Sequence, residues 1–214
     1  MKKITKSSVL LSCCLLALAV FAKNFTMPKS EDARTYAVHD NHPNEHAAIA
    51  AVPYTGQKSS IFNGRYEEHG LLPVFVVFTN DSDAPLELAN MEVQFTTVDR
   101  KAKISPSTNE DIYRKMGRVE RRGDEPTRNP LPIPLPGRGP KVGVKKDVAQ
   151  EVDAAQFRAK AIEPQTTRAG FMFFDVSGIR NPLDGGKLFI TGVRDDNGQE
   201  LMYFELDMDK TSAK

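Results

Sequence analysis

Two stretches near the middle and the end of the chain alternate apolar and polar residues with period two. Met91, Val93 and Phe95 interleave with Glu92, Gln94 and Thr96, and Met202, Phe204, Leu206 and Met208 interleave with Tyr203, Glu205 and Asp207. A helix brings residues to one face every 3.6 positions, so this spacing predicts strands that bury one face and wet the other. AAIAAVPY (47–54), IFNGRYEEHG (61–70), LLPVFVVFTN (71–80), FRAKAI (157–162), AGFMFFDV (169–176) and KLFITGV (187–193) add short apolar or aromatic runs punctuated by Pro, Gly and Asn. These too read as strands, with Phe157, Ala159 and Ala161 sharing a face. Asn197-Gly198 tolerates positive φ and marks the strongest hairpin signal in the chain. About seven or eight strands with no regular strand-helix rhythm predict an all-β sandwich.

The centre departs from that pattern. In SPSTNEDIYRKMG, Ser107 and Glu110 are spaced as a capping box and Gly117 closes the stretch, so a short helix is expected there, and DVAQEVDAA (147–155) suggests another. Between them, residues 114–146 hold ten Lys or Arg against three Asp or Glu, with six prolines and five glycines. NPLPIPLPG (129–137) favours polyproline II, an extended conformation that leaves its backbone groups available for docking. Leu131, Ile133 and Leu135 are candidates to strap the protein's own sheet. Arg114, Arg118, Arg121, Arg122, Arg128, Arg138, Lys141, Lys145 and Lys146 are candidates to meet an anionic envelope component or an acidic protein.

The chain opens with MKKITKSSVLLSCCLLALAVFAK, a basic start followed by an apolar run from Val9 to Ala22. That is the pattern of a secretory signal peptide, expected to be cleaved after Ala22, and the run is short for a membrane span. Leu10-Leu11-Ser12-Cys13 resembles a lipobox, but most of the apolar segment follows Cys13 instead of preceding it, which favours the cleaved leader. Cys13 and Cys14 both lie in this leader. The mature protein therefore has no disulfide available and must rely on its core. Without Lys2, Lys3 and Lys6 the formal charge of +1 becomes about −2, which argues against a dedicated polyanion binder; nucleic acid is the poorest partner class.

The expected organisation is a leader (1–22), a flexible polar segment (23–46), one β-sandwich domain (47–209) with an insertion at 107–153, and a short tail (210–214). The polar segment carries His39, His42 and His46 with Asp40 and Glu45 between them. Imidazoles at that spacing can converge on Zn, Cu or Ni if the backbone wraps the ion. Pro43 interrupts a helix that would align them, so a solvated segment with weak metal affinity is the expected outcome. Met91, Met172, Met202 and Met208 fall in strand patterns, which favours core packing over copper ligation. The carboxylate loops at 80–83 and 194–198 fit turn chemistry better than a calcium loop.

For catalysis there is no Gly-x-Ser-x-Gly elbow and no mature cysteine. His69 beside Glu67 and Glu68 is the one candidate base within the strand region. No cofactor is called for, and the chain is expected not to be an enzyme.

LLPVFVVFTNDSDAPLELANMEVQFTT, IEPQTTRAGFMFFDVSG and GGKLFITGVRDDNGQELMYFELD, in that order, resemble the immunoglobulin-like domains of unknown function in bacterial extracytoplasmic proteins. The resemblance lies in a strand ending in Asn before a polar turn and a Pro-containing turn before a Gly-Phe strand. It covers 71–209 outside the central insertion, implies a fold, and carries no active site. The expectation is therefore a secreted or periplasmic binding or assembly module of the cell envelope, with a metal-binding periplasmic protein as the alternative.

Overall fold

A computed structural model describes residues 25–98, 103–119 and 142–211. In chain order the strands and helices are β1 (His39–His42), β2 (Ala47–Pro53), β3 (Leu71–Asn80), β4 (Leu86–Glu87), β5 (Glu92–Thr96), β6 (Lys103–Ile104), α1 (Asn109–Met116), β7 (Arg118–Val119), β8 (Val142–Gly143), α2 (Lys146–Ala155), β9 (Ala161–Ile162), β10 (Thr166–Asp175), β11 (Lys187–Thr191) and β12 (Phe204–Asp207). The protein is mostly antiparallel β. One four-stranded sheet has the order β1-β2-β3-β10 and a second has the order β12-β11-β5-β6.

The two sheets face each other across a shared core, and their sequence patterns differ because their burial differs. In the second sheet, Val93, Phe95, Leu188, Ile190, Phe204 and Leu206 point inward, while Glu92, Gln94, Glu205 and Asp207 lie on the other face. The first sheet is covered on both sides. Leu72, Val74, Val76 and Phe78 of β3 join the inter-sheet core, and Leu71, Phe75 and Val77 join a second core on the outer face. All ten residues of β3 are buried, and a strand buried on both faces reads as a continuous apolar run. LLPVFVVFTN shows that run, with its polar end satisfied: Asn80 Nδ2 donates to Ala84 O at 2.8 Å and to Ile162 O at 3.1 Å.

The outer core is closed by α1, α2 and two irregular segments. Ile112 of α1 and Val148, Val152 and Ala155 of α2 pack with Phe75, Phe171 and Phe173. The helix expected from Ser107 and Glu110 starts one residue later, with Thr108 Oγ1 accepting the Asp111 N–H at 3.2 Å. IFNGRYEEHG is not a strand. It forms 3-10 turns that send Phe62 and Tyr66 into the outer core. FRAKAI contributes only the two-residue β9, and Met202, expected in the buried stripe, is 63% exposed.

The insertion at 107–153 is tied to the sheet at both flanks. Before α1, the Ser107 N–H donates to Phe173 O at 2.7 Å, and after α2, the Phe157 N–H donates to Phe171 O at 2.9 Å. Both bonds fall on the free edge of β10, which is thereby covered. A Cβ at Gly170 would lie 2.6 Å from Phe157 Cα, so only glycine admits this close approach.

The description of residues 23–46 as a flexible polar segment is corrected for the part described, 25–46. This stretch is folded. β1 pairs antiparallel with β2, Ala33 and Val38 are buried, and Phe25 stacks on Phe62 with ring centroids 5.5 Å apart. The physical reason is spacing: a few apolar residues among many charges suffice when each fills a gap left by the sheets. The charges meet partners of their own, as Arg34 does with Asp32 and Asp81.

Glu151 of α2 is the one buried acidic residue among the described core positions, 2% exposed. Its carboxylate accepts the Asn63 N–H, the Gly64 N–H at 3.0 Å and the Tyr66 hydroxyl at 2.8 Å. Burial, then the Glu151 charge and hydrogen bond, push the Tyr66 phenol far above its ordinary range. Removing the carboxylate strands three donors, so Glu151→Ala is expected to lower stability by about 3 kcal/mol. Urea unfolding checks this through a reduced midpoint with an unchanged slope.

Candidate functional site

The described residues that bracket the basic, proline-rich segment pair as a short stem. α1 ends at Gly117, whose N–H donates to Tyr113 O at 2.7 Å, and β7 then pairs antiparallel with β8, setting Arg118 opposite Gly143 and Val119 opposite Val142. Val119 and Val142, which bracket residues 120–141, are thus held side by side. Arg118 belongs to this stem. The other proposed contact residues, Arg121, Arg122, Arg128, Leu131, Ile133, Leu135, Arg138 and Lys141, lie outside the described residues.

Just before the stem, Lys115 Nζ reaches Asp175 Oδ1 at 2.7 Å and Ser177 Oγ at 2.6 Å. This contact joins the end of α1 to the loop after β10. Burial alone would raise the Asp175 carboxyl, but hydrogen bonds from Lys115 and Ser177, with the Lys115 charge, hold it below the usual aspartate range.

That loop and the turn before β3 enclose a groove of about 720 Å³, a size that fits small ligands and short peptides. Leu72, Val176, Ile179, Pro182 and Leu183 supply its apolar lining, and Glu67, Glu68, His69, Ser177, Asn181 and Asp184 its polar groups. The groove depends on tight backbone. Gly70 has φ +70°, and a Cβ there would meet Ser177 Oγ at 2.3 Å. Glu67 Oε1 accepts the Gly56 N–H at 3.0 Å, fixing one wall.

The three N-terminal histidines do not converge. His39 Nδ1 lies 2.7 Å from Tyr36 O. His46 sits in the left-handed region at φ +51°, capping the turn after Pro43. His42 instead stacks on Phe204, with centroids 4.0 Å apart, and its ring nitrogens lie 2.8 Å from Glu45 Oε2 and 3.4 Å from Asp40 Oδ2. The same two carboxylates accept backbone N–H groups around β12: Asp40 from Glu205 at 2.9 Å and Glu45 from Met202 at 2.8 Å. The cluster is a clip joining β1 of one sheet to the edge of the other, and it caps donors that an edge strand would otherwise expose. No group of three or more His, Cys, Asp or Glu that could hold a metal ion occurs among the described residues.

His69, the candidate base, is exposed at the groove wall and follows the Glu67–Glu68 pair on a 3-10 turn. The two polar loops follow turn chemistry: the Asn80 amide oxygen accepts the Ser82 N–H at 2.9 Å, the Asp195 carboxylate accepts the Asn197 and Gln199 N–H groups at 3.0 and 2.8 Å, and Asp81 pairs with Arg34. Sequence reasoning missed the groove, because its lining comes from two segments more than a hundred residues apart in the chain. The available hints were the glycines at 70 and 178 and the Asn181-Pro182 pair.

The fold and these surfaces define an all-β protein of two facing antiparallel sheets with an added helical cover. No family model matches the chain, and no curated protein matches it. No helix among the described residues is long and apolar enough to cross a membrane.

Lys115→Met is expected to lower stability at neutral pH by less than about 1 kcal/mol, because the ion pair is partly exposed. A carboxyl whose folded-state pKa is depressed stabilises fully above its unfolded value and loses that contribution as pH falls from there through the lower folded-state value. The gap between wild type and variant should therefore close as pH drops below about 4, in thermal melts run as a pH series.

Proposed function

We propose that this chain is an exported, non-catalytic binding or assembly module of the cell envelope, built on an immunoglobulin-like sandwich. Its partner is a protein or an anionic envelope component, met through the basic, proline-rich residues between β7 and β8. The observation that carries this reading is the stem, which holds both ends of a segment rich in Arg, Lys and Pro together at the end of the helical layer. The sandwich reading is supported by two four-stranded antiparallel sheets sharing one core, with the chain passing repeatedly between them. Export is supported by the leader pattern in residues 1–22. The metal-binding alternative gains no support from His39, His42 and His46, whose side chains serve separate local contacts.

The test replaces residues 120–141 with Asn-Gly, a turn that closes a two-residue hairpin loop. Because the described core residues lie on either side of the stem, the melting temperature should fall by no more than about 4 °C, the effect of roughly 1 kcal/mol in a domain of this size. Capture of envelope proteins and co-sedimentation with anionic vesicles should be lost. Retention of both in the shortened protein would overturn the reading.

A further inference from the structure

The groove between the turn before β3 and the loop after β10 carries the opposite chemistry to the basic segment. Among the described residues its lining includes three carboxylates, Glu67, Glu68 and Asp184, and no lysine or arginine. Three described cations lie near it. Lys115 is held by Asp175 and Ser177. Arg180 lines a neighbouring hollow with Thr97, Val98 and Asp184. Arg65 does reach Glu68 at 3.2 Å, but both side chains are mostly exposed, 77% and 63%, and such a pair exchanges partners at little cost. Beneath these acidic groups, Val176, Ile179, Pro182 and Leu183 are only half-buried, which leaves apolar surface available next to negative charge.

We propose that this groove docks a peptide segment in which a lysine or arginine stands next to an apolar side chain. The half-buried residues take the apolar group, and Glu68 and Asp184 meet the cation. A volume of about 720 Å³ accommodates a few residues of such a segment, and charge complementarity around an apolar centre supplies selectivity and rate more than raw affinity. The groove is opposite in charge to residues 120–141, so the chemistry it selects differs from that proposed for them.

The test uses the full mature chain and three fluorescein-labelled hexapeptides: alternating Leu and Lys, alternating Leu and Glu, and alternating Ser and Lys. The Leu–Lys peptide is expected to bind saturably, with the other two at least about tenfold weaker, a difference readily resolved by anisotropy. Glu68→Gln with Asp184→Asn, and separately Ile179→Asn, should each weaken it by a similar factor while the protein melts as wild type. Equal binding of the Leu–Glu or Ser–Lys peptide, no binding at all, or an unchanged affinity in either variant would sink the proposal. Should a variant fail to fold, amide shifts in the wild-type protein decide: changes confined to residues 67–72 and 176–184 support the groove, and changes elsewhere refute it. The variant shortened at 120–141 should still bind the Leu–Lys peptide, so loss of envelope capture and loss of peptide binding are read independently.

Discussion

β3 is the shared wall of both hydrophobic cores. It pairs with β10 along ten residues and with β2 along seven, and its alternate side chains feed the inter-sheet core and the outer core. Burying both faces of one strand couples the two cores: nothing can loosen on one side of β3 without affecting the register that the other side uses. Phe75, Phe171 and Phe173 on the outer face are each fully or almost fully buried, and each such ring is worth about 1.5–3 kcal/mol of burial. They form a connected aromatic group with Tyr54, Phe62 and Tyr66, with centroids between 4.9 and 6.4 Å apart.

A sheet with two buried faces needs a cover, and the chain supplies it from parts that are locally unremarkable. The insertion contributes two short helices, fixed to β10 at both flanks and to each other through Asp153, which accepts from Asn109 at 2.9 Å. Glu151 then fastens the second helix to the turn at 63–66. The N-terminal segment completes the cover with Phe25, Met27 and Tyr36 on one side. On the other, Asp40, His42 and Glu45 fasten it to β12. Polar residues here hold separate elements together, which explains why so charged a stretch is ordered.

This arrangement leaves two surfaces at the end of α1. The stem of the basic segment starts three residues after Lys115, and Lys115 itself bonds to the loop that forms one side of the groove. The groove recesses Glu67, Glu68 and Asp184 around apolar side chains, a charge opposite to that of the residues the stem brackets, and charge of opposite sign selects partners of different chemistry.

The sequence by itself determined the strand content wherever burial was regular. LLPVFVVFTN became β3 residue for residue, MEVQF kept its alternation, and AGFMFFDV and KLFITGV took their expected places, because backbone pairing and one or two buried faces leave no other solution. Gly117 ended α1 as expected, and Asp195 to Gln199 turned on Gly198. Tertiary structure decided the rest. Whether IFNGRYEEHG was a strand or a series of turns depended on where Phe62 and Tyr66 were needed. The order of residues 25–46 depended on gaps left by distant strands, and the fate of the three histidines depended on Phe204, Asp40 and Glu45. The groove was not legible as a whole, since residues 67–72 and 176–184, which line it, meet only when β3 and β10 pair. Short-range pattern reports what a segment buries; only packing reports what it is buried against.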